Sequence, residues 1–430
     1  MLSYATSMTE FFRKAKIALT DWGIAKRLLF ILFILLLFRG LAAIPVPGID
    51  VIQLQSLLSQ NQLLGLLNIF SGGGLSQISL VMLGMGAFIT SSIVMQLATQ
   101  LSPSLKSMYQ EEGEIGRRKF RNISRYLTVP IAAVQGGAFL AYLTQQGILS
   151  QPDFQTIAFN IMMIVAGSIL LMWLGELITE FGIGNGVSFI IFAGIVASMP
   201  ALFSQLVFTY SASELPVYVG VFAVALLVIA GTVMMNEADR QVPISYATDG
   251  HSSSGGRGVQ TFLPIKINQA GVMPIIFALS IIIVPPIIMG PFIDSATPWV
   301  ANSAQLITTL FQSGLFYTIL YFILTFFFTY FFTSVVFDPY ATATRLQGSR
   351  AFIPGVRPGE NTGDFLGAVV TRTTFFGATF LASIAVLPII LQAVTGNQMF
   401  AIGGTALLIV VSVVLDVTKK LDAQIAMRQY

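Results

Sequence analysis

Gly113-Glu114-Ile115-Gly116-Arg117-Arg118-Lys119-Phe120-Arg121-Asn122-Ile123-Ser124-Arg125 puts five basic residues into a short gap between two long apolar runs. Working outward, every other gap repeats the pattern. Arg13, Lys14, Lys16, Lys26 and Arg27 precede the first apolar run, and Arg240, Arg257 and Lys266 fill the gap around 236–266. Arg345, Arg350 and Arg357 fill the gap around 338–365, with Arg372 just beyond, and Lys419, Lys420 and Arg428 close the chain. The intervening gaps near 44–75, 144–156, 200–215, 290–305 and 391–400 hold no Lys or Arg, and only Arg39 lies inside a run. Cytoplasmic loops retain Lys and Arg, so this alternation predicts a polytopic membrane protein with both termini in the cytoplasm.

Composition agrees. The chain is 55% apolar and 10% charged, with mean hydropathy +0.81, against about 25% charged for an ordinary soluble domain. A pI near 9.0 reflects topology first, with contacts to anionic lipid or an acidic partner as additions. There is no cysteine, which excludes disulfides, thiol catalysis and Cys metal sites. The single histidine, His251, sits in a polar loop and offers no metal or triad constellation. No cofactor is expected. The first apolar run follows a polar-rich stretch without an A-x-A cleavage signal after it, so it reads as a retained helix and not a signal peptide.

The apolar runs give about ten spans of roughly the ~20 residues that cross a bilayer, with cores at 28–43, 78–99, 123–143, 157–177, 186–207, 216–235, 269–289, 306–336, 367–391 and 401–417. The expected organisation is a cytoplasmic segment 1–27, a first half 28–209, a second half 210–417 and a cytoplasmic tail 418–430. An odd number of spans per half makes the halves inverted relative to one another. Segment 53–75 is too short to cross and ends in Ser71-Gly72-Gly73-Gly74. It reads as a half-helix entering from outside, or alternatively as an amphipathic loop on the outer surface. Irregular backbone at membrane depth requires cover by protein or a water-filled cavity. The second span of the second half carries Gly271, Pro274, Pro285 and Pro286, and broken segments at matching places in two halves point to the working site.

Carriers keep ionisable groups inside their spans because those groups are costly and persist for function. These spans hold almost none. Arg39 and Arg372 lie near membrane edges, and Glu176 and Glu180 at the cytoplasmic end of the fourth span read as interfacial charges facing water or headgroups. There is no P-loop, zinc motif or paired acid/base set, so no enzyme chemistry is visible. An apolar, glycine-rich centre with large cytoplasmic loops suits a conduit gated by apolar side chains.

The strings Ile44-Pro45-Val46-Pro47-Gly48-Ile49-Asp50, Asn68-Ile69-Phe70-Ser71-Gly72-Gly73, Gly113-Glu114-Ile115-Gly116-Arg117-Arg118-Lys119, Trp173-Leu174-Gly175-Glu176, Gly182-Ile183-Gly184-Asn185-Gly186, Ile353-Pro354-Gly355-Val356-Arg357-Pro358-Gly359 and Gly403-Gly404-Thr405 together resemble the SecY/Sec61 alpha family of protein-conducting channel subunits. The resemblance implies an all-α protein of two pseudo-symmetric inverted five-helix halves around an hourglass pore in the bacterial plasma membrane. It implies a plug helix at about 60–75, with Leu63, Leu64, Leu66, Leu67, Ile69, Phe70, Gly72 and Gly73. It implies a pore ring of Met85, Ile89, Val187, Ile191, Ile276 and Ile409. Such a ring fits around a chain of any sequence, while the closed apolar neck dewets and blocks ions.

The same resemblance implies a lateral gate between the second and seventh spans, assisted by the third and eighth, with Gln96, Gln135 and Asn268 along it; simple interhelical packing is the other reading of the glutamines. Amide contacts worth roughly 1 kcal/mol or less let such a seam open reversibly, so an apolar segment of a nascent polypeptide passes into the lipid. Loops 236–266 and 338–365 dock the ribosome, including its rRNA, or the SecA motor ATPase, through Arg240, Arg257 and Arg357. SecE- and SecG-type membrane subunits, signal peptides and membrane lipids complete the implied partners. One stretch departs from the family: Gln241 stands where a second basic residue is usual, and Thr248–Arg257 is poor in Lys and Arg. An accessory channel with narrow substrates and a secondary solute transporter stay open as alternatives.

Overall fold

The computed structural model of the chain describes residues 20–46, 53, 68, 71, 73–75, 78–110, 112–149, 153–208, 215–246, 260–293, 295, 297–396 and 398–429. Helix α1 (Trp22–Ala42) starts where the Asp21 carboxylate accepts the Gly23 N–H at 2.8 Å, which satisfies a donor the helix cannot. Then follow α2 (Gly86–Leu101), α3 (Pro103–Gln110), α4 (Gly113–Gln145), α5 (Phe154–Phe181), α6 (Gly186–Phe208) and α7 (Leu215–Glu237). Strands β1 (Asp239–Tyr246) and β2 (Gln260–Lys266) precede α8 (Met273–Met289), which ends in a 3-10 turn, and α9 (Pro298–Gln312). The chain finishes with α10 (Gly314–Val336), α11 (Pro339–Gly348), β3 (Ala351–Phe352), α12 (Glu360–Thr395) and α13 (Gln398–Gln429).

Among the described residues, six helical stretches have the length and hydropathy to cross a bilayer: α4, α5, α7, α8 with its 3-10 extension, α10 continued by α11, and α12. Helix α1 carries Lys26, Arg27 and Arg39, and the apolar part of α6 is the shorter Gly186–Ala201. The chain is a mostly helical, multi-pass membrane protein. The run expected as one span at 306–336 is two helices, because Ser313 is extended and breaks the ladder before Gly314. Its first part, α9, is amphipathic and leaves Trp299 and Leu306 exposed. Helix α13 runs on past 418, so the C-terminal tail continues the last helix.

The span expected at 78–99 is helical only from Gly86. Residues 78–85 form successive turns, with Gly84 and, unusually for a β-branched residue, Ile78 at positive φ. This backbone is covered by protein: Ile78, Ser79, Val81 and Met82 are all but inaccessible. Its polar groups are paired, with the Val46 N–H donating to the Ile78 carbonyl at 2.8 Å and the Leu80 N–H to the Ile44 carbonyl at 3.0 Å. That is the condition for irregular chain at membrane depth. Of the plug positions, Leu63, Leu64, Leu66, Leu67, Ile69, Phe70 and Gly72 lie outside the described residues. Gly73 has φ +80 and its N–H donates to the Asn68 carbonyl at 2.8 Å. Gly74 is packed rather than open, since a Cβ there would lie 2.9 Å from the Val81 carbonyl oxygen and the Ser79 hydroxyl.

The parts before residue 209 and after 214 meet along two seams. Helix α8 packs on α2 and α4, and α13 packs on α6. One large apolar core spans both seams, and a second fills the outer end around α4, α5 and residues 75–83. The all-helical expectation has one exception, a sheet ordered β2-β1-β3 in which Ser245 and Tyr246 pair with Phe352 and Ala351.

Gly167 sets the height at which α5 meets the turn segment, because a Cβ there would lie 2.0 Å from the Leu80 carbonyl oxygen. Gly167→Leu should therefore cost more stability than the roughly 1–3 kcal/mol of ordinary overpacking, read as a lower unfolding temperature in detergent. Gly220→Ala, with nothing within 4 Å of its Cβ position, should be neutral or slightly stabilising.

Candidate functional site

The six expected ring residues come from four elements, and the fold brings them into one apolar cluster. Met85 caps α2 and Ile89 lies in its first turn, Val187 and Ile191 start α6, Ile276 starts α8, and Ile409 lies within α13. Met85, Ile89, Ile191, Ile276 and Ile409 are each at most 4% exposed, and Val187 packs against them half-buried. Helices α2 and α8 meet in one seam and α6 and α13 in the other, so the cluster draws on both seams.

Local chemistry fixes the height of α6. The loop 182–186 reverses tightly, with Gly184 at φ +100. Thr179 accepts the Gly186 N–H at 2.9 Å and Asn185 accepts the Val187 N–H at 3.0 Å. A Cβ at Gly186 would lie 1.8 Å from the Gly175 carbonyl oxygen, so only glycine permits this approach. Gly175 precedes the end of α5 by six residues, roughly 9 Å at 1.5 Å per residue. Helix α6 thus begins well inside the bundle and delivers Val187 and Ile191 to the centre. A Cβ at Gly175 would meet the Met85 methyl at 3.3 Å, which places that residue level with the cluster.

Ile89 and Val187 also line the floor of a cavity of about 880 Å³ that opens toward the basic end of the bundle. Phe88, Met273 and Phe277 extend its apolar part. Its upper walls are charged: Arg118, Arg121 and Arg125 from α4 face Glu176 and Glu180 from α5, with Glu114 and Lys420 nearby. Arg125 Nε donates to Glu176 Oε1 at 2.7 Å. Glu176 and Glu180 therefore border a cavity and not lipid headgroups. The signal for this was available as the i, i+3, i+7 spacing of the arginines and the i, i+4 spacing of the glutamates, but spacing does not say what a helix face meets.

The three expected gate residues are not brought together. Gln135 is buried and donates through Nε2 to Thr90 Oγ1 at 3.3 Å, joining α4 to α2. It lines a cavity of about 50 Å³ with Gly86, Thr90, Ser280 and Ile283, where α2, α4 and α8 meet. Gln96 lines the large cavity instead, and its Oε1 is buried without a donor. Asn268 bonds Asn236 at 2.9 Å and both backbone groups of Gly271, fixing the turn that starts α8. It lines a separate polar pocket of about 230 Å³ with Lys266, Asp416 and Lys419.

At the basic end, Ile353-Pro354-Gly355-Val356 forms a type II turn, with Gly355 at φ +83 and the Val356 N–H donating to the Ile353 carbonyl at 3.1 Å. Ile353 is buried against Val242, Ile265, Leu366 and Val370. This anchors the loop and leaves Arg357 exposed beside it, its carbonyl accepting the Thr362 hydroxyl at 2.8 Å. Arg240 is exposed on β1, in register with Ile265, and Arg257 lies outside the described residues. Tyr340, whose phenol donates to Asp364 at 2.8 Å, packs on Gly363 and has its pKa raised by that bond.

The family model SecY matches residues 79–418. The protein translocase subunit SecY of Pseudomonas aeruginosa is 38% identical over 428 residues, covering 96% of this chain and 94% of that protein. That of Escherichia coli K12 is 38% identical over 429 residues, covering 97% and 95%. The red alga Pyropia yezoensis has one 38% identical over 408 residues, covering 94% and 97%. Among solved structures, a protein-conducting channel superposes with a TM-score of 0.61 at 19% identity over 91% of this chain and 90% of that one. Sec61 in the canine ribosome-channel complex gives 0.57 at 18% identity over the same shares. By the family match and its near full-length relatives, the chain belongs to the SecY family.

Proposed function

We propose that this chain is a protein-conducting channel, which passes unfolded polypeptide across the membrane and releases apolar segments into lipid. The observation that carries the reading is one apolar core that holds Met85, Ile89, Ile191, Ile276 and Ile409 from four distant elements, with Val187 packed against it, and that meets a charged cavity at Ile89 and Val187. An apolar neck under a hydrated funnel excludes ions by dewetting yet yields to a chain. The full-length kinship does not favour a solute carrier or an accessory channel with narrow substrates.

In this reading α2 and α8 form the lateral gate, with Gln135–Thr90 as a weak polar tie and the small cavity beside Ser280 as the place where the seam begins to part. Gln96 faces the passing chain, and Asn268 holds the start of α8. Residues 60–75 are the plug, with Leu75 as its buried root. The basic end is cytoplasmic, with both termini there, and the membrane is the bacterial plasma membrane. The halves 28–209 and 210–417 move as the two jaws. The sheet-linked loops dock a SecA-type motor or a ribosome through Arg240, Arg257 and Arg357, which supplies the energy that the chain itself does not. SecE- and SecG-type subunits and lipid cover the sparsely buried α7 and the apolar groove of about 520 Å³ between α1 and α5.

Four outcomes test the reading. Replacing the six ring residues together by Ser or Gly should raise resting ion conductance across planar bilayers, and wild-type conductance would exclude the ring as the seal. Deleting residues 60–70 should leave an inserted, folded protein with relaxed substrate selection. Leu75→Ala should instead cost about 2–5 kcal/mol of stability, as for a core leucine. Losing one partner of a desolvated charge pair costs about 2 kcal/mol or more, so Arg357→Glu should weaken motor or ribosome docking roughly 30-fold. Assembly should be retained, because Arg357 lies in an exposed loop remote from the apolar ring. Normal export by that variant in reconstituted vesicles would reduce Arg357 to a topology-setting charge.

A further inference from the structure

The large cavity has two walls of opposite charge directly above the apolar cluster. A Cβ at Gly175 would meet the Met85 methyl at 3.3 Å, so its neighbour Glu176 stands at the edge of the apolar cluster, and Glu180 follows one turn higher. At rest Glu176 is held by Arg125 at 2.7 Å, a pair whose side chains are 42% and 20% exposed for Arg and Glu. A pair that keeps this much access to water is exchangeable, because little desolvation separates the bound from the free carboxylate. Glu180 has no ion-pair partner among the described residues, nor do Arg118 and Arg121 on the opposite wall. A separate observation points to a donor-bearing ligand. Gln96 lines the same cavity from α2, and its buried Oε1 accepts no hydrogen bond.

Resting on the channel reading, we propose that the α5 wall of this cavity is a recognition site for basic peptide segments. Lysine or arginine at the start of an arriving secretory signal takes Glu180 first and then displaces Arg125 from Glu176. Such signals carry a positively charged stretch before their apolar one. Binding the basic stretch on α5, with the arginines of α4 repelling it from the other side, fixes its orientation. The apolar stretch that follows then lies over Phe88, Met273 and Phe277, next to the seam between α2 and α8. The Gln96 side-chain oxygen accepts an N–H from the same segment. The walls act within about one Debye length, 8–10 Å, so the recognition is confined to the cavity and weakens with salt.

The experiment compares two secretory substrates that differ only in the first stretch, one basic and one neutral, in vesicles reconstituted with the whole complex. The readout is the ratio of their transport, so each channel is its own reference. The wild-type ratio should favour the basic substrate several-fold and fall as ionic strength rises. In the double variant Glu176→Gln/Glu180→Gln the ratio should collapse toward unity, and Glu180→Lys should reverse it. Arg125→Gln frees Glu176 and should raise the ratio, whereas a merely structural ion pair would lower transport of both substrates alike. An unchanged ratio in the double variant would overturn the proposal. If that variant moves neither substrate, binding of fluorescent basic and neutral signal peptides decides: equal preference in variant and wild type overturns it, lost preference supports it. Failure of wild-type vesicles to move either substrate would instead count against the channel reading.

Discussion

The approach of Gly186 to the Gly175 carbonyl is the contact on which the centre of the molecule depends. A side chain at Gly186 would meet that oxygen at 1.8 Å and push α6 outward, toward the level where α5 ends, and one at Gly175 would crowd the Met85 methyl at 3.3 Å. Because both residues are glycine, α6 starts roughly 9 Å deeper, with its first N–H groups taken by Thr179 and Asn185. Val187 and Ile191 then reach the level of Met85. Gly167 does the same service on the outer side, letting α5 lie against the Leu80 carbonyl. These are the contacts that small residues permit in lipid, where burying apolar surface gives no drive and close packing does the work.

That geometry sets a sharp change of polarity over a short distance. Five of the six central side chains are almost wholly buried and apolar, while Glu176 and Arg125 stand immediately above them, ion-paired and partly hydrated. The pairing leaves this level of the cavity close to neutral at rest. In the channel proposed here, an apolar constriction flanked by a hydrated, charge-balanced funnel would separate two tasks, with sealing left to the side chains below and sorting to those above.

The two large loops at the basic end form one unit. Strand β3 follows α11 in the second loop and pairs with β1 of the first, and Ile353, Val242 and Ile265 share a core with Leu366 and Val370 of α12. A load applied at the Arg357 loop is therefore passed both to α12 and, through the hairpin, to the turn at Asn268 that starts α8. Helix α8 contributes Ile276 to the apolar cluster and packs on α2, which gives a continuous path of packed elements from the Arg357 loop to that cluster.

The sequence by itself determined the membrane class, because every Lys and Arg outside a span reports which side its loop occupies, and the positions of most helices, because apolar runs near 20 residues have no other stable form in lipid. It determined the family through ordered strings such as Gly182–Gly186 and Ile353–Gly359, and the resemblance singled out the proposed ring residues, which pattern alone would leave among many apolar i, i+4 pairs. Tertiary structure alone decided three things. Residues 78–85 look apolar enough for helix, but Gly74, Gly84 and the pairing with 44–46 make turns of them. Residues 306–336 look like one span, but the extended backbone at Ser313 divides them. Glu176, Glu180 and the α4 arginines look like surface charges, and only the packing of α4 against α5 turns them toward a common cavity. The physical reason is the same in each case: hydropathy records what a segment avoids, whereas which groups face one another depends on contacts between residues far apart in the chain.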